Sequence, residues 1–233
     1  MSSAFVAGAT GFTGREVVSQ LVPRGIRTIA HVRPDSSRLD GWRERFEGLG
    51  ASTDTTPWDT VALAATLASL KPSIIFALIG TTRRRMAETS KEAASYEAVD
   101  YGLTKMLLDA AVRSGASPRF IYLSASGVSE RNPTAYMKAR WKAEKAIRES
   151  GLPYIIARPA FITGQGRDDS RPLEKAGSAL FDTVLSAAAL VGAGKLRDRY
   201  RSITNVELAG ALIKLALNPE NANRIIEREG LTP

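Results

Sequence analysis

Gly8, Gly11 and Gly14 recur at three-residue spacing in the stretch AFVAGATGFTGREVV, close to the start of the sequence. Phe5, Val6 and Ala7 before them read as a short buried strand, while Val17, Val18, Leu21 and Val22 recur at helical spacing after them. Glycines between a strand and a helix let the backbone turn tightly and come close to a bound group. The unpaired N–H groups that open the helix then face an anion, and phosphate suits that geometry. Thr10, Phe12 and Thr13 complete the same loop. The chemistry predicted here is phosphate binding.

A second group sharpens that reading. The next strand ends in HVRPDSSR, where dinucleotide-binding folds place an acid that bonds the ribose 2′-hydroxyl, about 20 residues past the glycines. Arg33 stands there instead, and a guanidinium suits a 2′-phosphate through charge-assisted, often bidentate hydrogen bonds. Arg15 and Ser36 are placed to assist, and Asp35, past Pro34, is expected to start the following helix. The cofactor this predicts is NADP, the alternative being that Arg33 is an ordinary surface arginine.

Composition excludes other chemistries. The chain has 233 residues, enough for one large domain, and 44% of them are hydrophobic, as in ordinary globular proteins. With no cysteine there is no disulfide, thiolate nucleophile or zinc–thiolate site. The single histidine, His31, lies in a predicted strand and reads as a packing residue; no metal site is expected. A net charge of +8 attracts anions, but the cations are interleaved with acids and no nucleic-acid motif accompanies them. A small-molecule partner is expected rather than nucleic acid. MSSAFVAG has no basic segment followed by a long apolar run, so no signal peptide is read and a cytoplasmic location is expected.

The elements that must position these residues alternate along the chain. RTIAHV, ASTDTT, PSIIFALIG, PRFIYLSAS and PYIIA read as strands two to six. Between them lie a helix over SSRLDGWRERFEGLG, one capped by Asp59, one carrying Val99, Leu103, Met106, Leu107 and Ala110 on a stripe, and one from Thr134 to Ser150. Such βαβ repetition predicts a doubly wound parallel sheet covered on both faces, with binding at the carboxyl ends of its strands, where Gly8, Gly80 and Ser124 fall. The chain is expected to form a single α/β domain (1–233), with 164–204 as a small C-terminal substrate-side insertion. Its apolar stretch 176–194 contains Asp182 and small polar residues, so no integral membrane segment is expected. Thr204 with Glu207 predicts a capping box on the last helix, which Asn218–Pro219 stops.

GATGFTGR, GTTR, VDY, YLSASGV, the Tyr136 helix and ARPAFITG, in that order, resemble the atypical short-chain dehydrogenases/reductases, most of all the Tat-interacting-protein subgroup. The resemblance implies a Rossmann-like fold in which Leu78, Ile79, Gly80 and Thr81 pass beneath the adenine ribose. It also sets Pro159, Ala160, Phe161 and Ile162 beside the nicotinamide. Thr55 to Trp58 falls where relatives often carry an aspartate near the adenine, and none is present.

Reductases of this family carry a tyrosine and a lysine at YxxxK spacing. The phenol must exchange a proton with a carbonyl oxygen although its ordinary pKa is about 10, and an ammonium one turn away lowers it. Here the helix reads TAYMKARWKAE, with Tyr136 in place and Arg140 at the lysine position. Arginine supplies charge and hydrogen bonds but does not relay a proton. Ser124 and Ser126 flank the position of the family's catalytic hydroxyl, which Ala125 occupies. The function implied is NADP-dependent oxidoreduction of a small carbonyl or quinone-like compound, with catalytic Tyr136, Arg140, Ser124 and Ser126. The alternative is a non-catalytic NADP-binding regulator or assembly protein.

Overall fold

Strand β1 (Ser3–Ala7) is buried along its whole length, and alternate residues serve two cores. Ala4 and Val6 pack on one face, Phe5 and Ala7 on the other. A strand covered on both faces has no solvent side to keep polar, which is why this segment reads as a continuous apolar run. The structure, a computed structural model, describes residues 2–80, 96–164 and 202–233.

Six more strands join β1: β2 (Arg27–His31), β3 (Ser52–Asp54), β4 (Ile74–Ala77), β5 (Arg119–Leu123), β6 (Tyr154–Arg158) and, last in the chain, β9 (Arg224–Glu227). All pair in parallel, in the order β3-β2-β1-β4-β5-β6-β9. Two short segments, β7 (Ile162–Thr163) and β8 (Ile203–Thr204), form a separate parallel ribbon. Helices α1 (Gly14–Leu21), α2 (Leu39–Gly48) and α6 (Asn205–Leu217) cover one face with Val17, Val18, Leu21, Phe46, Leu208 and Leu212. The other face is covered by α3 (Thr60–Leu70), α4 (Thr104–Arg113) and α5 (Ala135–Glu149), through Leu63, Leu67, Leu107, Ala143 and Ile147. This is the expected doubly wound, Rossmann-like α/β fold. Its strand order reverses between β1 and β4, so a crevice opens at their carboxyl ends.

Local chemistry fixes the helix ends. Asp59 accepts hydrogen bonds from the N–H groups of Val61 and Ala62, at 3.0 and 2.8 Å. Thr204 and Glu207 make the reciprocal capping box that the sequence predicts.

Several expectations are corrected. β9 and the β7–β8 ribbon add to the six predicted strands; RIIE is short and ends in charges, and two-residue strands leave no periodicity to read. The helix expected through Val99 is π-helical from Tyr96 to Leu103 before becoming α4. Asp35 does not start a helix: it lies in a turn in which the Ser36 N–H donates to the Arg33 carbonyl, and α2 begins at Leu39. Thr81, the apolar stretch 176–194 and nearly all of the insertion 164–204 lie outside the described residues.

Candidate functional site

The three glycines do three different things. Gly8 has a φ of +80°, and a Cβ there would sit 2.5 Å from the Leu78 carbonyl oxygen, so β1 and the end of β4 touch backbone to backbone. A Cβ on Gly14 would lie 2.1 Å from the Gly8 oxygen, so the third glycine seats α1 against the loop. Gly11 is the least enclosed of the three: its Cβ would meet only the Gly8 oxygen, tightly, at 3.1 Å. Its N–H donates to that same oxygen at 2.9 Å. Thr13, the N-cap of α1, makes no side-chain capping bond. The loop thus lies against Leu78 and Ile79 (both buried), with Thr10 half-buried and Phe12 under the Arg15 guanidinium at 5.5 Å. Among the described residues these groups fit a dinucleotide pyrophosphate on geometric grounds.

At the end of β2, Arg33 is exposed, and its guanidinium pairs loosely with Asp35 at 3.3 Å. His31 beside it is buried between the rings of Phe5 and Trp58. Its Nε2 donates to the Thr56 carbonyl at 2.8 Å, and this holds the segment where the expected aspartate is missing.

Further along the crevice, Tyr136 and Arg140 share one face of α5, as their spacing predicts. The guanidinium lies 5.2 Å from the Tyr136 ring centre and 5.5 Å from that of Tyr122. It is not exposed. Arg140 Nη2 donates to Asp100 Oδ1 at 2.7 Å, with side-chain exposures of 7% and 0%. Nη1 donates to the Tyr122 hydroxyl at 3.2 Å and also to the Leu123 carbonyl. Burial alone would lower the guanidinium's pKa, but Tyr122, Tyr136 and Asp100 outweigh it and raise it further, so the group stays charged. Burial likewise pushes the Tyr122 phenol up. Gly80 rests on this pair: a Cβ would meet Arg140 Nη2 at 3.1 Å and Asp100 Oδ1 at 3.7 Å.

Ser124 is also engaged. Its hydroxyl donates to Glu144 Oε1 at 2.5 Å, and Glu144 is fully buried one turn beyond Arg140 on α5. Arg158 at the end of β6 forks onto the same carboxylate, at 2.9 and 2.6 Å, and reaches Glu227 on β9 at 2.9 Å. These hydrogen bonds from Arg158 raise its pKa, outweighing burial. Ser126 differs: its N–H donates to the Pro159 carbonyl at 2.9 Å, while its buried hydroxyl has no partner among the described residues. That bond ties the Ser126 loop to Pro159 and Ala160, beyond which Phe161 stands exposed and Ile162 opens β7. Tyr136 touches Tyr96 edge to face at 5.3 Å, and its hydroxyl makes no hydrogen bond among the described residues.

A family model described as NAD(P)H-binding matches residues 8–191. The chain belongs to this NAD(P)H-binding family. Among its relatives, the mitochondrial protein fmp52-1 of Aspergillus terreus is 28% identical over 189 residues, covering 76% of this chain and 73% of that protein. The mitochondrial NADH dehydrogenase (ubiquinone) 1 alpha subcomplex subunit 9 of Arabidopsis thaliana is 27% identical, covering 90% of this chain and 49% of the subunit. The crystal structure of UDP-glucose 4-epimerase from Brucella ovis in complex with NAD superimposes with a TM-score of 0.64 at 19% identity, over 93% of this chain and 73% of that one. At that identity the likeness is one of fold, the Rossmann-like fold that the resemblance implies. The cytoplasmic location expected from the N-terminus is overturned by the fmp52 relatives, which are mitochondrial by name. Among the described residues no helix is long and apolar enough to cross a membrane.

Asp100, Glu144, Arg158 and Tyr122 escaped the sequence reading. Glu144 carried a signal: it falls on the Tyr136–Arg140 face at the next four-residue step, between the apolar positions Ala143 and Ile147. A carboxylate on the buried stripe of a helix implies a buried cation, here Arg158.

Proposed function

We propose that this chain binds NADP(H) and reduces a small carbonyl or quinone-like compound in mitochondria. The observation that carries the reading is that Tyr136 and Ser126, unlike Ser124, keep their hydroxyls uncommitted among the described residues. NADP(H), when bound, supplies the hydride. Tyr136 gives its phenolic proton to the substrate oxygen, and the Ser126 hydroxyl donates a hydrogen bond to that same oxygen. Arg140 and Ser124 act from behind: the first fixes the face of α5 that carries Tyr136, the second ties β5 to α5 through Glu144. The glycine loop holds the pyrophosphate, Arg33 the 2′-phosphate, and Pro159 to Ile162 flank the nicotinamide.

A second reading, a regulator or assembly protein that binds NADP without turning it over, is supported by the engagement of Arg140. Its guanidinium is taken up by Asp100 at 2.7 Å, by the Tyr122 hydroxyl and by the Leu123 carbonyl, where the family's lysine would hold the nicotinamide ribose. NADPH consumption across a carbonyl and quinone panel, measured beside calorimetric NADPH binding, separates the two. Turnover that falls about 10²- to 10⁴-fold in Tyr136→Phe supports the reductase. Tight binding with no turnover on any substrate supports the regulator, and no binding at all removes both.

A further inference from the structure

Asn205 is the first residue of α6, yet its side chain turns toward the other end of the chain. Its Nδ2 donates to the carbonyl oxygen of Phe12 at 3.2 Å, across 193 residues of sequence. Phe12 lies in the glycine loop between Gly11 and the N-cap Thr13. Asn205 is 2% exposed, so this bond is made out of water. The far side of the carboxamide is closed by Gly164, just past β7: a Cβ on Gly164 would fall 2.1 Å from Asn205 Oδ1 and 3.2 Å from Phe12 Cζ. The φ of Gly164, +138°, is also one that side chains disfavour. The chain therefore keeps glycine there, and the carboxamide is held in one place. A rigid amide behind a phosphate loop fixes where the loop's N–H groups aim, and a site binds best when its donors are held in place by such support.

We propose that Asn205 is a cofactor-positioning residue, which holds the Phe12 carbonyl and thereby sets the glycine loop for the dinucleotide pyrophosphate. Asn205 does not touch the cofactor; it acts through Phe12. Gly164 is its counterpart, because any side chain at Gly164 displaces the carboxamide. The inference rests on the cofactor-binding reading above but makes a claim of its own about the free protein.

Two variants test it from opposite sides. Asn205→Leu removes the donor at similar volume, and Gly164→Ala pushes the carboxamide away without altering it. Each is expected to weaken NADPH binding about 10-fold, the effect of one buried hydrogen bond. The double variant is expected to lose no more than the worse single one, since both remove the same contact. Adenosine 2′-monophosphate, which lacks the pyrophosphate, serves as the second probe and should bind both variants as it binds wild type. Hydrogen exchange in the free protein is the third measurement, with the amides of Gly11 and Arg15, bonded to Gly8 and Gly11 at 2.9 and 3.1 Å, expected to exchange faster in both variants. Unchanged exchange at residues 8–15 overturns the proposal whether or not NADPH binds. Equal weakening of both ligands overturns it too, because that outcome marks a general loss of structure. If wild type binds no NADPH, the cofactor reading fails, and the exchange measurement still decides the role of Asn205.

Discussion

Asp100 and Arg140 meet at 2.7 Å beneath Gly80, with the carboxylate fully sealed and the guanidinium nearly so. Removing one partner of such a pair leaves the other charge buried and unmatched, which costs about 3–5 kcal/mol. Asp100→Leu is therefore expected to destabilise the protein by about that much in urea unfolding. Asp100→Leu with Arg140→Met should recover much of the loss, because the apolar pair strands no charge. A double variant less stable than either single one contradicts this account. Arg140→Lys is also expected to destabilise, since one ammonium cannot reach the Asp100 carboxylate, the Tyr122 hydroxyl and the Leu123 carbonyl together.

The glycine loop separates two substitutions that look alike in sequence. Gly14→Ala places a methyl group 2.1 Å from the Gly8 oxygen and should cost about 1–3 kcal/mol of stability, as overpacked sites do. Gly11→Val meets the Gly8 oxygen less severely, at 3.1 Å, and should cost less stability than Gly14→Ala while abolishing NADPH binding. Thermal melts and calorimetric titrations of both variants check the pair. A folded Gly11→Val protein with wild-type affinity rules out the phosphate cradle.

The sheet, its parallel order and the glycine loop were legible because they rest on local signals. Apolar runs, glycine spacing and caps such as Asp59 and Thr204 each lie within a few residues. What escaped depends on pairings across the fold. Asp100 and Arg140 are 40 residues apart, and Arg158 meets Glu227 across 69. No local pattern announces such partners. The four-residue spacing puts Arg140 on the Tyr136 face of α5, but nothing nearby in the sequence points to the carboxylate that engages it. For Ser124 and Ser126 the sequence offered equal claims, and only the buried Glu144 distinguishes them. Asn205 carried no signal beyond its place after the N-cap.

On the proposed function, Arg33 is the residue that would select NADP over NAD. Its present partner, Asp35, is exposed, and an exposed pair of this kind is worth little, so a 2′-phosphate displaces it at small cost. Arg33→Ala removes a charge-assisted bond of about 1.5–3 kcal/mol and should weaken NADPH binding roughly 10- to 150-fold. NADH has no 2′-phosphate and should bind the variant as it binds wild type. Parallel titrations with the two cofactors make the comparison, and equal weakening of both excludes Arg33 as the phosphate ligand.

His31 is the only histidine of the chain, so its titration can be read without interference from another imidazole. Burial between Phe5 and Trp58 pushes its pKa below the ordinary 6.5, and it outweighs the opposing effects of the Thr56 carbonyl and of Asp54, 3.9 Å away. A group whose pKa is lower in the folded state is protonated more readily in the unfolded chain. Its contribution to stability is therefore complete above pH 6.5 and is lost as pH falls from there through the folded-state value. Wild-type stability in urea should accordingly decline below pH 6.5, while His31→Gln, which keeps a donor for Thr56 but cannot titrate, should be less stable at pH 7.5 and flatter with pH. A stability profile that falls with equal slope in both proteins would assign the acid sensitivity to the carboxylates instead.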